Sequence, residues 1–200
     1  NGIEISPQLE RIKLKEVKVD KIYLTIEELD AIEKLNKRKL NESLLNARDW
    51  LIISSYTAQR VSDFMRFRKS MLRYHKNNAG YLNPLLEFTQ KKTDKIMTIA
   101  LHPKVLKVLK KRGGEFPRPL SSQKYNDYIK KVCAKAGINE KLKGSKLIKV
   151  EGDDNDFPYR KQPGIYEKWE LVTSHIGRRS FATNFYGKYP TSYLISMTGH

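Results

Sequence analysis

Thr173-Ser-His-Ile-Gly-Arg-Arg-Ser-Phe-Ala-Thr183, with Thr198-Gly-His200 downstream, decides how this chain is read. His175, Arg178 and Arg179 stand at i, i+3 and i+4, so on a helix they share one face. Ser174 reads as the N-cap, which sets the imidazole in the first turn. Ala182 and Phe185 continue toward an apolar side that buries the helix, which should end near Gly187. Positive groups held on a rigid helix suit an anion gripped in a fixed geometry, and a phosphodiester fits that description. A basic surface helix with a structural histidine satisfies the same spacing equally well.

The bulk composition favours an anionic partner. The 200 residues include 39 Lys and Arg against 22 Asp and Glu, a formal net charge of +17. Solubility does not require so large an excess, and a polyanion, most simply nucleic acid, is the expected partner. An anionic membrane is the rival. The sequence has no apolar run long enough to span a bilayer and no signal-peptide pattern, so no membrane partner is expected. Hydrophobic residues make up 39% and charged residues 30%, which supports one core under a heavily charged surface. A single cysteine, Cys133, excludes an internal disulfide and any multi-cysteine zinc site. It falls in the apolar pattern of a helix and reads as core. The lack of an initial Met and the stop at His200 read as cuts within a longer protein.

Outward from the deciding stretch, residues 1–23 read as a linker or arm remnant. Thr25 and Glu28 have capping-box spacing, and Ile26, Leu29, Ile32 and Leu35 form an apolar stripe, so a helix starts there. A second helix runs from Glu42 to Tyr56, with Leu44, Leu45, Trp50, Leu51, Ile52 and Ile53 mostly buried. Tyr56-Thr-Ala-Gln-Arg60-Val-Ser-Asp63 then reads as a helix–turn–helix join. Packing can aim Arg60 there, and Asp63 can orient it. An ordinary intrahelical Arg–Asp pair, worth ~0.3 kcal/mol, fits the spacing as well.

Leu85–Thr89 and Ile96–Leu101 are short strand-like runs joined by Gln90-Lys-Lys-Thr-Asp-Lys95, a hairpin with a basic tip. Pro103 opens a helix that Gly113-Gly114 ends. Another helix, capped by Ser121 or Ser122, carries Tyr125, Ile129, Val132 and Cys133 and closes at Gly137. Lys146–Val150 and Ile165–Val172 look like two strands. The acidic stretch Glu151–Asp156 between them lacks EF-hand spacing and reads as a solvated loop. A last helix follows Pro190 and breaks at Gly199.

Arg60, the basic hairpin, His175, Arg178 and His200 occur in an order that resembles the catalytic domain of the tyrosine recombinases, or phage-type integrases. Tyr56-Thr-Ala-Gln-Arg60-Val-Ser-Asp63 is similar to the family's Thr-Gly-x-Arg-x-Ser-Glu/Asp box, with Ala58 in place of Gly. Gln90-Lys-Lys-Thr93 is similar to the hairpin that carries the family's lysine. Counting back from the second strand favours Lys92 over Lys91. His175-Ile-Gly-Arg178 matches the His-x-x-Arg box, and Thr198-Gly-His200 resembles the final Gly-His box. The style is closest to integrases of conjugative transposons. The resemblance covers residues 24–200 and implies an α+β domain, mostly helical, with a small antiparallel β-sheet or hairpin.

The resemblance also implies a chemistry. A tyrosine attacks a DNA phosphate, forms a 3′-phosphotyrosyl link and frees a 5′-hydroxyl. Arg60 and Arg178 clamp the phosphate oxygens, Lys92 protonates the leaving oxygen, and His175 and His200 hydrogen-bond the phosphate. Asp63 holds Arg60 or His175, and Lys91 and Arg179 contact DNA. These cations take the part of a metal, so no cofactor and no metal are implied. The partners implied are double-stranded DNA at attachment sites and other protomers, a tetramer in the full protein. The expected location is cytoplasmic and nucleoid-associated. The family's nucleophilic Tyr lies beyond the final Gly-His, so no nucleophile falls within this chain, which should bind DNA without cleaving it. Tyr186, Tyr189 and Tyr193 read as ordinary core or surface aromatics. A non-catalytic DNA-binding module on the same fold and a basic RNA-binding protein remain alternatives.

Overall fold

The computed structural model of the chain describes residues 22–36, 38, 40–76, 78, 80–149 and 159–199. Residues 1–21 of the expected arm over 1–23, Val150 and the acidic stretch 151–156 lie outside them. The architecture is α+β, with two small antiparallel sheets placed against a helical body.

Helix α1 (Ile26–Lys34) begins as its sequence says. Thr25 Oγ1 accepts the Glu28 N–H, and Glu28 returns the bond to the Thr25 N–H, closing the capping box. Helix α2 (Glu42–Thr57) is the centre of the body. Leu44, Trp50, Leu51, Ile52 and Ile53 are buried on all sides of it, as expected for a helix with no polar face. Around it pack α1, α4 (Pro103–Lys111), α5 (Ser122–Lys135) and α7 (Ile176–Phe185).

Most polar groups carried into this core on α2 are paired, which avoids the cost of an orphan, while the buried Ser55 Oγ has no partner among the described residues. Asn46 bonds both the N–H and the C=O of Arg118. Asp49 accepts from Arg48 at 2.8 Å and from Arg112 at 2.7 Å. Tyr125, Ile129, Val132 and Cys133 of α5 are fully buried against α2. Burial pushes the Cys133 thiol up to about 12, so it stays protonated and inert.

After helix α3 (Val61–Phe64), strands β1 (Leu72–Lys76), β2 (Leu82–Thr89) and β3 (Ile96–Ala100) form an antiparallel sheet in that order. Phe88 faces Met97 and Leu86 faces Ile99, and all four are buried on one face. The hairpin tip Gln90–Lys95 therefore sits at a fixed register above the core.

A second sheet pairs β4 (Lys141–Lys149) with β5 (Tyr159–Glu167) over nine residues each. The expected strand Ile165–Val172 is corrected here: it stops at Glu167, and Lys168–Leu171 form a short helix, α6. Ile165, Tyr166, Trp169 and Val172 carry β propensity, but Glu167 and Glu170 close a capping box. Lys168, almost fully buried, pairs with Glu28 at 2.8 Å, and that contact needs the helical turn. Gly144 of β4 lies against the Leu171 side chain, which would have to shift to admit a Cβ. Exposed Lys141, Lys143, Lys149 and Lys161 give this ribbon a basic outer face.

Helix α8 (Thr191–Thr198) follows Pro190 and ends at Gly199, which has a φ of 66°. Among the described residues no helix is long and apolar enough to cross a membrane.

Candidate active site

The site starts where α2 stops. Ala58 is fully buried and takes the left-handed conformation, φ 61° and ψ 13°, with its N–H still bonded to Ser54 O. That single residue reverses the chain and makes Arg60 the N-terminal cap residue of α3. A side chain in the left-handed region costs about 1–2 kcal/mol. Ala58→Gly relieves it but loses a buried methyl, worth about 0.8 kcal/mol, and adds unfolded-state freedom of about 0.5–1 kcal/mol. The terms cancel to within about 1 kcal/mol, so Ala58→Gly should melt close to the natural chain. Ala58→Val adds bulk to a filled position and should cost about 2 kcal/mol or more. Thermal melts of both variants check this; a glycine variant melting as low as the valine variant would contradict the conformational argument.

Arg60 Nη1 is buried and has no hydrogen-bond partner among the described residues. Arg178, from the first turn of α7, reaches the same place: its Nη1 donates to Ala58 O at 3.2 Å and to Thr198 O at 2.6 Å. Burial lowers the Arg178 pKa first and the Arg60 charge lowers it further, with Asp63 partly offsetting them. The guanidinium remains charged in any case. His175 joins them. Partial burial lowers its pKa, and the charges of Arg179, Arg178 and Arg60 add to the effect. Two guanidiniums and an imidazole thus crowd together at a cost, in a pattern that an anion would relieve.

His175, not Ser174, is the residue before the first turn of α7. Its backbone is already helical and its side chain caps nothing, which leaves the ring available. The Ser174 N–H is held instead by Asn126 Oδ1 at 2.6 Å, a contact from α5.

Asp63 is buried and takes a different part from the one its spacing suggests. Its Oδ1 accepts the Lys91 N–H at 2.7 Å and Arg66 Nη2 at 3.2 Å. No bond to Arg60 or His175 is formed; instead the carboxylate ties the hairpin tip to α3. Lys91 and Lys92 are both exposed on that tip, and Arg179 is exposed one residue beyond Arg178. His200 lies outside the described residues, immediately after Gly199. Among the described residues no group of His, Cys, Asp and Glu could hold a metal ion.

No family model matches the chain, and no curated protein matches it in sequence. Solved structures do match its fold. A lambda integrase dimer bound to a COC′ core site aligns over 96% of this chain and 48% of its own, with a TM-score of 0.59 at 18% identity. XerH site-specific recombinase bound to difH substrate in a pre-cleavage complex aligns over 95% of this chain and 50% of its own, with a TM-score of 0.56 at 16% identity. A Flpe–DNA Holliday junction complex reaches 0.52 at 13% identity, over 86% of this chain and 42% of its own. The chain has the fold of a tyrosine-recombinase catalytic domain.

This recombinase-fold domain spans about half the length of the solved structures it matches. Three of its residues lie inside the motif boxes, yet the sequence assigns them no part. Gly177, inside the His-x-x-Arg box, brings α7 onto α2: a Cβ there would lie 2.8 Å from Ser54 Cβ and 2.9 Å from the Ser54 carbonyl carbon. Gln59 and Gln90 are 1% and 0% exposed and are hydrogen-bonded to each other at 3.2 Å. Their only trace in the sequence is position, one beside Arg60 and the other opening the basic tip. Neither carries charge or periodicity that would mark it as buried.

Proposed function

We propose that the chain is the catalytic domain of a tyrosine-type, site-specific DNA recombinase that integrates or rearranges a mobile element. The observation that supports this best is the unpartnered, buried Arg60 Nη1 beside Arg178 and His175. A cluster of like charges with a spare buried donor fits a scissile phosphate, whose nonbridging oxygens gain negative charge in the transition state. The fold it shares with DNA-bound recombinases agrees with that reading.

In the proposed reaction, a tyrosine Oη forms a bond to phosphorus as the bond from phosphorus to the 5′-oxygen breaks. Arg60 and Arg178 hold the nonbridging oxygens through fixed, permanently charged donors. Lys92 gives a proton to the departing 5′-oxygen, and His175 or His200 accepts the tyrosine proton. The 3′-phosphotyrosyl link keeps the energy of the broken ester, so attack by a 5′-hydroxyl reverses the step with no nucleotide hydrolysis. Lys91, Arg179 and the basic face of the β4–β5 ribbon add phosphate contacts, which steepen the salt dependence of binding. Exchange of partners between two duplexes would involve further protomers of the same recombinase.

The test offers the full-length protein a nicked suicide duplex of its attachment site and looks for a covalent protein–DNA band on a denaturing gel. The expected band disappears when the nucleophilic tyrosine becomes phenylalanine. Tight binding to the site with no adduct would favour a non-catalytic DNA-binding module instead.

Binding should also be linked to protons. In the free chain partial burial and the neighbouring Arg179, Arg178 and Arg60 charges hold the His175 pKa below the ordinary imidazole value. A phosphate seated among Arg60, Arg178 and Arg179 offsets those charges and raises the His175 pKa. Bound DNA then favours the protonated ring, so affinity increases as pH falls through the bound-state value. NMR titration of the His175 ring with and without duplex DNA reads both values. A ring that titrates at the same pH in both states would remove His175 from the phosphate site.

A further inference from the structure

We propose that Gln59 and Gln90 form a buried amide strut that positions Lys92 against the phosphate held by Arg60 and Arg178. The inference rests on the recombinase reading above and assigns to two uncharged residues a part in its protonation step.

The tip Gln90–Lys95 is otherwise exposed, yet Gln90 is wholly buried. Its backbone closes the loop at both ends: the Gln90 N–H donates to Lys95 O at 2.9 Å, and Gln90 O accepts the Asp94 N–H at 3.0 Å. Residues 91–94 therefore hang from Gln90. Its side chain then fixes the loop to the body. Gln90 Nε2 donates to Gln59 Oε1 at 3.2 Å, and Gln90 Oε1 accepts from Thr93 Oγ1 at 2.7 Å. Gln59 Nε2 donates in turn to Thr57 O at 2.9 Å and to Met197 O at 2.6 Å. Gly199 packs directly against the Gln90 amide, and a Cβ there would lie 2.9 Å from Gln90 Cδ.

One chain of hydrogen bonds thus joins the residue before Arg60, the loop that carries Lys92 and the end of α8 just before His200. Thr198, on that end, also accepts from Arg178 through its carbonyl. The groups assigned to hold and to protonate the phosphate are referred to one another through Gln59 and Gln90. The choice of amides follows from electrostatics. A buried carboxylate at either position would compete with the phosphate for the Arg60 and Arg178 charges. An apolar residue would leave the carbonyls of Thr57 and Met197, or the Gln59 Oε1, without a donor. The second tie on the loop, Lys91 N–H to Asp63, fixes its base and leaves the far side to Gln90 and Thr93.

The experiment compares two nicked duplexes, one natural and one with sulfur in place of the 5′-bridging oxygen at the scissile phosphate. A thiol with a pKa of about 8.5 leaves as thiolate and needs no general acid. Loss of a well-placed acid is expected to slow the oxygen substrate by about 10²–10⁴-fold. In the full-length protein, Lys92→Ala should show that loss on oxygen and regain most of the rate on sulfur. Gln90→Met should show the same selective pattern, with about a 10²-fold loss on oxygen. The pair Gln90→Met and Lys92→Ala together should lose no more than Lys92→Ala alone. Thr93→Val, a milder change on the same loop, should give a smaller loss with the same recovery and covers the case in which Gln90→Met fails to fold. Equal losses on both substrates for Gln90→Met and Thr93→Val would overturn the strut as a positioning device. A Lys92→Ala protein that forms no more adduct on sulfur than on oxygen would instead overturn the recombinase role of Lys92, and the proposal with it.

Discussion

Arg60→Ala in the full-length protein is expected to lower strand cleavage about 10²–10³-fold, the loss seen when one preorganised donor to an oxyanion is removed. Binding to duplex DNA should change little. One phosphate contact contributes about −0.9 to the log–log salt slope, a small part of what so basic a surface supplies. The structure separates this effect from misfolding. The Arg60 side chain makes no capping bond to α3, and its Nη1 has no partner among the described residues. Its removal relieves the charge repulsion with Arg178, so the variant should melt no lower than the natural chain. Covalent adduct formation, filter binding at several salt concentrations and a thermal melt read the three quantities. Adduct formation within threefold of the natural protein would remove Arg60 from the phosphate clamp.

Gly177→Ala should be the most destabilising of the small substitutions. In an ordinary helix interior the change stabilises by about 1 kcal/mol, because glycine is the poorer helix former. Here the sign reverses. The added methyl would meet the Ser54 side chain and, at 2.9 Å, the Ser54 carbonyl carbon, which is backbone of α2 and cannot rotate away. Relief requires α7 to move off α2, and such overpacking costs about 1–3 kcal/mol. Gly177→Val should cost more and should prevent folding if the domain is of ordinary marginal stability. Ser54→Gly, combined with Gly177→Ala, removes the side-chain part of the clash and should recover part of the melting temperature. A Gly177→Ala chain that melts above the natural one would mean that the two helices are not so close. Cleavage should fall with stability, since Arg178 is the next residue and rides on the same turn.

Much of this fold is legible along the chain because its causes are local. The Thr25–Glu28 box, Pro103 at the start of α4, Ser121 before α5, and glycines with positive φ at 113, 114 and 137 mark helix ends within a few residues of the groups they satisfy. The alternation of Leu86, Phe88, Met97 and Ile99 states which face of the hairpin is buried. Arg60, Lys92, His175 and Arg178 are marked as candidates in a different way, through the order and spacing of boxes that resemble those of tyrosine recombinases; the structure brings Arg60, Arg178 and His175 near one another.

Other features depend on partners far away in sequence. Ile165–Val172 reads as one strand, and its last residues become α6 because Lys168 pairs with Glu28, 140 residues earlier. Asp63 looks like a partner for Arg60, three residues before it, yet it holds the Lys91 N–H across the hairpin. Gln59 and Gln90 are polar residues in polar surroundings, and only the fold shows that they are buried and joined to each other.

The sequence by itself determined most of the helices, the basic hairpin, the large positive charge and which residues carry charge suited to a phosphate, since caps, periodicity and net charge act over a few residues or over the whole surface. The tertiary structure alone decided which of those charges stand together and what holds them there. A hydrogen bond between distant residues, or the absence of a Cβ where two helices touch, depends on distances that exist only after the chain has closed on itself.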